Sequence, residues 1–249
     1  MTRLPVLLAL SLLLPLAACG GTDGDADDAT ITVLAAASLT ESFTDLADDF
    51  EAEHDGVNVE LAFDSSATLA EQALGGAPAD VLATADTSTM DSAADALAAD
   101  PEVFATNTLV LVTPADNPAG ITSYDDLDSG DVTYVVCVDT APCGRVAAAL
   151  IDATGLTADP ASLEVDVKAV LSKVTSGEAD AGLVYATDAV AAGDDVLTFE
   201  IPGAADVVTT YPIAPLDQSP EPDLAQAFVD LVLSEAGQQV LHDAGFGAP

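Results

Sequence analysis

Two serines stand where a site for an anion is expected. Ser38 follows the apolar run 31–37, and Ser66 follows the alternating run 57–63. Each run is typical of a strand, and a helical pattern begins after each serine. Residues 38–41 (SLTE) have the pattern of a capping box, which predicts that Ser38 opens the first helix. The first N–H groups of a helix have no intrahelical acceptor, and together with a hydroxyl they favour an anion. Two N-cap serines without any ligand would give the same pattern, so both interpretations stay open here.

Further donors are expected at the same edge of the predicted sheets. The turn 142–144, which contains Cys143, opens another helix, and Val167 lies at the start of a fourth. Tyr185 ends a buried strand at residues 181–185. Its hydroxyl either points into a cleft or is satisfied within the core, and the sequence does not decide between the two.

Charge excludes one class of partner. The 249 residues contain 43 Asp and Glu against 4 Lys and Arg, a formal net charge of −39. Such a chain repels phosphate backbones, so nucleic acid is not a partner. The acidity is typical of surfaces adapted to salt. Arg145 and Lys168 lie beside two of the turns described above, either to offset repulsion of an anion or as solvated surface charges.

Catalytic chemistry has few candidate groups. A serine hydrolase would need His54 or His242 beside Ser38 or Ser66. The chain has no Gly-x-Ser-x-Gly elbow, no Gly-x-Gly-x-x-Gly or P-loop spacing, and too few His and Cys for zinc. We therefore expect no enzyme and no cofactor, with a secreted serine hydrolase as the less favoured alternative.

The N-terminus predicts export. Residues 1–18 carry Arg3 and then a leucine-rich run too short to span a membrane comfortably, which is typical of a signal peptide. Residues 16–19 (LAAC) resemble a bacterial lipobox, which implies cleavage before Cys19 and its lipidation. The small, acidic residues 19–29 then form a flexible tether. The body is expected at the extracytoplasmic face of the cell membrane.

Two cysteines remain after lipidation. Cys137 and Cys143 would be exposed to an oxidising compartment, where a disulfide is favoured. Two free thiols that pack as small apolar side chains are the alternative.

The elements that position these residues alternate between strand and helix. This order predicts an α/β fold whose mainly parallel sheets are flanked by helices. The predicted strands are 31–37, 57–63, 80–84, 107–113, 132–138, 165–167, 181–185, 196–201 and 207–214, and the later helices are 90–99, 146–154, 168–175, 187–192 and 224–244.

An ordered set of motifs runs from residue 31 to residue 246. It comprises residues 35–40, 65–66 with 68–70 and Gln72, 76–81 with 85–86, Asn107 with 109–112, 142–145, 177–185 with 187–189, 211–214 and 245–246. Each motif alone is weak, but the ordered set resembles the substrate-binding lipoproteins of molybdate ABC transporters.

This resemblance implies a two-lobed type II periplasmic-binding-protein fold. The first lobe would comprise residues 30–112 plus 213–249, and the second residues 113–212, with a hinge near Thr113 and Pro212. The ligand would lie between the lobes, and a monomer is expected.

The resemblance also implies the ligand and its contacts. Molybdate, and tungstate with it, would be bound by the hydroxyls of Ser38, Ser66 and Tyr185 and by the backbone N–H groups of Cys143 and Val167. The protein would then deliver the anion to a membrane permease. Cys143 departs from the alanine usual at its position, which a main-chain contact tolerates.

The donor set predicts how related anions are treated. None of these site residues is a carboxylate, so the proton of monoprotonated phosphate would have no acceptor, and phosphate is expected to be rejected. Sulfate has the charge of molybdate, so only cavity size separates the two. A receptor for sulfate, or a structural surface lipoprotein with an empty cleft, therefore stays open.

Overall fold

Two sheets organise the computed structural model, which describes residues 29–249. Within that range each sheet has five strands, with the orders β2-β1-β3-β10-β4 and β7-β6-β8-β5-β9. The strands are β1 (Ala29–Ala36), β2 (Val57–Asp64), β3 (Val81–Ala83), β4 (Glu102–Asn107), β5 (Leu109–Pro114), β6 (Tyr134–Cys137), β7 (Ser162–Glu164), β8 (Ala181–Tyr185), β9 (Val196–Phe199) and β10 (Thr209–Pro215).

Helices cover both sheets. They are α1 (Thr40–Glu53), α2 (Ser66–Leu74), α3 (Thr87–Ser92), α4 (Pro142–Thr154), α5 (Val167–Thr175), α6 (Ala186–Ala192), α7 (Pro222–Leu233) and α8 (Glu235–Asp243). Short 3-10 helices lie at Ala37–Leu39, Ala94–Ala96, Tyr124–Ser129, Gly193–Asp195 and Ala204–Asp206. We call the first sheet with α1, α2, α3, α7 and α8 the first lobe, and the second sheet with α4, α5 and α6 the second lobe.

The two-lobed α/β fold is confirmed, and both sheets are mixed. In the first sheet β1 is parallel to β2 and β3, whereas β10 is antiparallel to β3 and β4. In the second sheet β6 is parallel to β7 and β8, whereas β5 is antiparallel to β8 and β9. The antiparallel strands β5 and β10 are the ones that directly follow a passage between the lobes.

The positions of these passages correct the predicted hinge. Residues 107–113 are predicted as one strand, but the run is divided at Thr108 between β4 in the first sheet and β5 in the second. The chain returns between β9 and β10, within residues 200–208. The passages therefore lie near Thr108 and within 200–208, not near Thr113 and Pro212. A run of strand-forming residues does not reveal at which residue the chain passes from one sheet to the other.

Aromatic and aliphatic side chains of α1 build the core of the first lobe. Leu39, Phe43, Leu46 and Phe50 are fully buried, as their helical spacing predicts. Phe43 and Phe50 both contact the ring of Phe228 on α7, with ring centroids 5.9 and 5.5 Å apart. This packing fixes α1, and thereby the turn that precedes it, against the sheet.

Several element boundaries differ from prediction. The strand β4 was not predicted, and the strand expected at 165–167 is instead β7, three residues earlier. Asp166 then caps α5, since its side chain accepts a hydrogen bond from the Ala169 N–H. The capping residue, rather than the apolar pair around it, decides where strand ends and helix begins.

The predicted signal peptide, Cys19 and nearly all of the tether lie outside the described residues. The tether was predicted to reach residue 29, but β1 already begins at Ala29. Within residues 29–249, none of the helices is both long and apolar enough to cross a membrane.

Candidate anion-binding site

A small cavity lies between the lobes, and the first residues of several helices line it. The five site residues predicted from the sequence all line it. Its lining comprises Ala36, Ala37, Ser38, Asp64, Ser65, Ser66 and Ala85 from the first lobe, and Ala141, Pro142, Cys143, Asp166, Val167 and Tyr185 from the second. The two lobes therefore contribute facing halves of one site.

Ser38 does not cap a helix. The predicted capping box is absent, because α1 is capped by Leu39 without a side-chain hydrogen bond and Ser38 lies in the preceding 3-10 turn. The Ser38 hydroxyl is buried and lies 2.9 Å from the Tyr211 hydroxyl. Its direction is therefore set by a partner from β10, far away in the sequence.

Ser66 likewise does not serve as a cap. It is the first residue of α2, and the N-cap residue Ser65 makes no side-chain cap bond. The Ser66 oxygen accepts a hydrogen bond of 3.0 Å from the Ala85 N–H. Because that bond occupies a lone pair on the oxygen, the hydroxyl proton remains available to the cavity.

The second lobe contributes backbone N–H groups. Cys143 and Val167 lie in the first turns of α4 and α5, where N–H groups have no intrahelical acceptor. Cys143 forms a disulfide with Cys137 at the end of β6. A side chain at Gly144 would collide with the Val138 carbonyl, so the helix start can approach the strand end this closely only with glycine. The disulfide and the glycine together fix the position of the Cys143 N–H.

Tyr185 presents a donor to the cavity. Its side chain is 1% exposed, and within residues 29–249 its hydroxyl has no hydrogen-bond partner. Burial raises its pKa well above the ordinary value for tyrosine, so the phenol stays protonated. The alternative of a core tyrosine with a satisfied hydroxyl does not describe this residue.

Two carboxylates that the sequence reasoning missed also line the cavity. Asp64 accepts a hydrogen bond of 2.6 Å from the Ser65 N–H, and Asp166 accepts one of 2.8 Å from Ala169. Both side chains are partly exposed to solvent. Asp64 lies two residues before Ser66 and Asp166 directly before Val167, so both could have been found by searching the neighbours of the predicted site residues.

Arg145 and Lys168 bridge the lobes and do not line the cavity. The Arg145 guanidinium contacts Asp86 of the first lobe at 2.5 Å and the Thr89 hydroxyl at 2.6 Å. Lys168 contacts Glu41 of the first lobe at 2.8 Å. Both side chains are therefore paired rather than solvated charges, and their predicted offset of the repulsion of an anion stays a prediction. They join the two acidic lobes at the sides of the site.

Lys168 also reaches a buried carboxylate in its own lobe. Its ammonium group lies 3.1 Å from Asp188, which is completely buried in the first turn of α6. Burial raises the pKa of Asp188 to about 6, although Lys168 acts in the opposite direction. Burial alone would lower the pKa of Lys168, but Asp188 and Glu41 outweigh it, and that pKa is raised.

The groups needed for a hydrolase do not meet. His54 stacks on Phe50 with ring centroids 4.0 Å apart, and His242 is exposed on α8. Neither histidine lines the cavity that contains Ser38 and Ser66. Among the described residues, three or more His, Cys, Asp or Glu nowhere gather in a way that could hold a metal ion.

Tyr211 and Asn107 are contributors whose roles the sequence did not indicate. Both occur within the recognised motifs, but neither was assigned a role. Tyr211 contacts Ser38, and the Asn107 amide lies 3.5 Å from the Tyr211 hydroxyl. In the sequence both residues look like buried strand residues. Only the pairing of β10 with β4 shows that their polar groups lie close together.

The arrangement as a whole suits a small anion. Hydroxyl, phenol and N–H groups line one space, and the first residues of α2, α4 and α5, which carry the positive ends of these helices, lie at its wall. Such donors can surround an anion without a buried cation, and each of these bonds is strengthened by the charge of the acceptor.

Comparisons with known proteins agree with this architecture. The model of the family described as "Bacterial extracellular solute-binding protein" matches residues 31–247. The molybdate-binding protein ModA of Mycobacterium tuberculosis is 43% identical over 98% of this chain and 97% of its own length.

Solved structures show the same fold. A periplasmic molybdate-binding protein of Azotobacter vinelandii superimposes with a TM-score of 0.77 at 20% identity, over 88% of this chain and 99% of its own. The sulfate-binding protein SubI of M. tuberculosis gives 0.76 at 19% identity, over 88% of this chain and 86% of its own.

Proposed function

Because the chain belongs to the bacterial extracellular solute-binding protein family, we propose that it is a receptor that captures molybdate between its lobes. Tungstate, which has the same charge and shape, binds in the same way. The loaded protein then delivers the anion to a membrane permease of the ABC type. The 43% identity to a molybdate-binding protein over nearly the whole chain supports this choice of ligand.

One observation carries the proposal. Ser38, Ser66, Cys143, Val167 and Tyr185, which come from five separate turns, surround a single cavity between the lobes. The hydroxyls of Ser38, Ser66 and Tyr185 and the N–H groups of Cys143 and Val167 are the proposed contacts of the anion. No cofactor and no catalytic step are part of this function.

Charge and protonation favour a fully deprotonated dianion. Lysine and arginine are absent from the residues that line the described cavity, so the anion is held by dipoles and hydroxyl protons. Asp64 and Asp166 lie at the partly exposed edge, where they would repel a dianion. Each directs one oxygen to a backbone N–H, which reduces its effect on the site. Each also has a second oxygen that can accept a proton, so the premise that phosphate finds no acceptor in the site does not hold for the whole lining, and the titration with phosphate tests the predicted rejection.

Opening and closing of the lobes couples binding to transport. The anion contacts groups of both lobes and so binds the closed form more tightly than the open form. A permease that prefers the closed form can then recognise the loaded receptor, since only differential affinity can signal occupancy. The hinge is formed by the passages near Thr108 and within residues 200–208.

Location and assembly complete the proposal. The signal peptide and Cys19 would place a lipid-anchored protein at the extracytoplasmic face of the cell membrane, and the acidic tether would separate the lobes from the lipid. The receptor acts as a monomer, because one chain supplies both halves of the site.

Calorimetric titration tests the ligand. The purified protein is titrated with molybdate, tungstate, sulfate and phosphate in low and high salt. We expect tight one-to-one binding of molybdate and tungstate only. Binding of sulfate or phosphate in their place would overturn the proposed ligand, and the absence of heat with any anion, from a folded sample, would refute the proposed function.

Serine variants test the site. Ser38→Ala and Ser66→Ala each remove a hydrogen bond to a charged group, so we expect each to weaken molybdate binding by about 1–3 kcal/mol. Ser176→Ala is the matched control, because that exposed serine contacts only the Lys173 carbonyl and Glu178, and it lies outside the cavity lining. Equal affinities of all three variants and the wild type would contradict the assignment of the site.

A sulfate receptor is the second candidate, because the sulfate-binding neighbour shares the fold almost as closely as the molybdate-binding one. The same titration decides between them. Turnover of an ester substrate that is lost in His54→Ala or His242→Ala would instead support a hydrolase. A structural lipoprotein would show no ligand-dependent change in small-angle scattering.

A further inference from the structure

Tyr211 stands behind Ser38 in a completely enclosed position. It is 0% exposed. Its ring meets those of Phe104, Tyr185 and Phe246 in edge-to-face contacts, with centroid distances of 6.1, 5.9 and 5.3 Å. Three aromatic neighbours from three different elements hold the phenol in one orientation, so its hydroxyl has a fixed location.

The direction of the hydrogen bond between Tyr211 and Ser38 follows from Asn107. The Asn107 carbonyl oxygen accepts a hydrogen bond of 2.9 Å from the Thr108 N–H, which orients the side-chain amide. Its NH₂ group therefore faces the Thr187 hydroxyl at 2.9 Å and the Tyr211 hydroxyl at 3.5 Å. An amide NH₂ only donates, so it cannot accept the phenol proton.

Tyr211 must therefore donate to Ser38. If Ser38 donated instead, the buried phenol proton would have no acceptor among the hydrogen bonds of the described chain, at a cost of about 1–3 kcal/mol. With Tyr211 as donor, the Ser38 oxygen is an acceptor and its own proton points away from Tyr211, towards the cavity.

We infer that Asn107 and Tyr211, neither of which lines the cavity, are positioning residues that direct the Ser38 proton towards the anion. This inference rests on the proposed function. An anion without a proton accepts from Ser38, whereas an anion whose own O–H faces Ser38 meets a second proton. Ser66 is held in the same sense by the Ala85 N–H. We call the hydrogen-bonded series Asn107, Tyr211 and Ser38 the relay. It selects which protonation state of the ligand can face Ser38.

Asn107→Asp is the variant that reverses the relay. An ionised carboxylate at this position accepts the Tyr211 proton, so the Tyr211 oxygen accepts from Ser38 and a Ser38 lone pair faces the cavity. Tyr211→Phe instead interrupts the relay without reversing it. In the double variant the introduced carboxylate can no longer act through Tyr211, which separates the relay from a direct effect of charge.

The readout is competition with molybdate by phosphate and by sulfate. The measurement is made at a pH where phosphate is a dianion with one proton and sulfate is a dianion with none. The two ions are similar in size and equal in charge, so the ratio of their affinities removes the repulsion that the new carboxylate adds.

We expect Asn107→Asp to raise the phosphate-to-sulfate affinity ratio about tenfold, the value of one hydrogen bond to a charged group. Within the pH range in which phosphate keeps one proton, the ratio for Asn107→Asp, relative to that for the wild type, should increase as the introduced carboxyl ionises. Tyr211→Phe leaves Ser38 free to donate or accept, so it should weaken sulfate more than phosphate and raise the ratio less than Asn107→Asp does. The double variant should match Tyr211→Phe, because the introduced carboxylate has no phenol to act through.

Two outcomes are decisive and distinguishable. If the wild type binds molybdate but Asn107→Asp leaves the ratio unchanged at every pH, the relay is refuted and the proposed function stands. If the wild type binds no oxyanion, the proposed function falls and the relay with it. If Asn107→Asp does not fold, a second test uses Ser38→Ala. Its loss of affinity for molybdate must be about threefold smaller in the Tyr211→Phe variant than in the wild type. Strict additivity of those two changes would overturn the relay.

Discussion

Replacing Tyr185 by phenylalanine is expected to change stability and binding in opposite directions. The change removes one oxygen and its proton and keeps the ring that packs against Tyr211, with centroids 5.9 Å apart. In the described chain this oxygen is buried and has no hydrogen-bond partner. The variant therefore isolates the contribution of a single unsatisfied donor.

The magnitudes follow from that environment. A buried hydroxyl without a partner costs about 1–3 kcal/mol, so Tyr185→Phe should raise the unfolding free energy of the ligand-free protein, by up to this amount when its lobes are closed. The melting temperature should rise by about 2–4 °C per kcal/mol. Molybdate binding should weaken by about 1.5–3 kcal/mol, or about 10- to 150-fold, because the anion loses a charge-assisted hydrogen bond.

Tyr134→Phe provides the matched control. Tyr134 is as buried as Tyr185, but its hydroxyl donates to the Ala158 carbonyl at 2.6 Å and lies outside the cavity lining. Its loss should lower the unfolding free energy by about 1 kcal/mol and leave the affinity for molybdate unchanged.

Two measurements check the pair. Urea unfolding of the molybdate-free proteins gives the change in stability, provided that the slopes of the transitions stay equal. Calorimetric titration gives the change in affinity. If Tyr185→Phe is destabilised as much as Tyr134→Phe, or binds molybdate as tightly as the wild type, the reasoning about an unsatisfied donor is refuted.

Three further predictions concern the surroundings of the site. Arg145→Gln removes a partly exposed ion pair between the lobes, so calorimetry should show that molybdate binding is weaker by about 0.5–1 kcal/mol. This loss of affinity should be smaller at high salt, because salt screens the ion pair in the wild type. Lys173→Gln is the control and should leave the affinity unchanged, because the carboxylate partner of Lys173 is in its own lobe. Joint replacement of Cys137 and Cys143 by serine should lower the unfolding free energy in urea by about 2 kcal/mol, and a reductant should add nothing further. Burial raises the pKa of Asp188 to about 6, so the folded state binds this proton more tightly than the unfolded chain does. The unfolding free energy should therefore rise as the pH falls from about 7 to about 5. If Asp188→Asn shows the same dependence of unfolding free energy on pH as the wild type, this reasoning is contradicted.

The positions of the site residues could be predicted because their signals are local. Ser38, Ser66, Cys143 and Val167 all follow a strand and begin a helical pattern, and parallel strands bring such turns to one edge of a sheet. Tyr185 was a candidate because it ends a buried strand, and the resemblance to a family then assigned all five residues to the ligand. The cavity brings together all five residues, although their roles in binding remain a proposal.

Roles that depend on a partner from another element could not be predicted. The sequence suggested a capping box at Ser38, but the hydroxyl bonds to Tyr211, 173 residues further along the chain. Likewise, Arg145 and Lys168 were expected either to offset repulsion of an anion or to be solvated, and their ion pairs with carboxylates of the opposite lobe were not foreseen. Only the relative placement of the two sheets determines these contacts.

The hinge was misplaced for a related reason. Hydrophobicity records whether a residue is buried, but it does not record in which core it is buried. The apolar residues on the two sides of Thr108 are buried in different lobes, so the boundary between the lobes leaves no trace in the apolar pattern.

The strand order has a consequence for how the protein matures. All strands of the second sheet come from one continuous stretch, β5 to β9, whereas β10 must insert between β3 and β4 of the first. The chain is synthesised from its N-terminus, so all the strands of the second sheet are present before β10 can complete the first sheet. Until residue 215 arrives, the edges of β3 and β4 that β10 later pairs are open to other chains. A chain that stops short of β10 would fold one half of a receptor and leave the other half prone to aggregation.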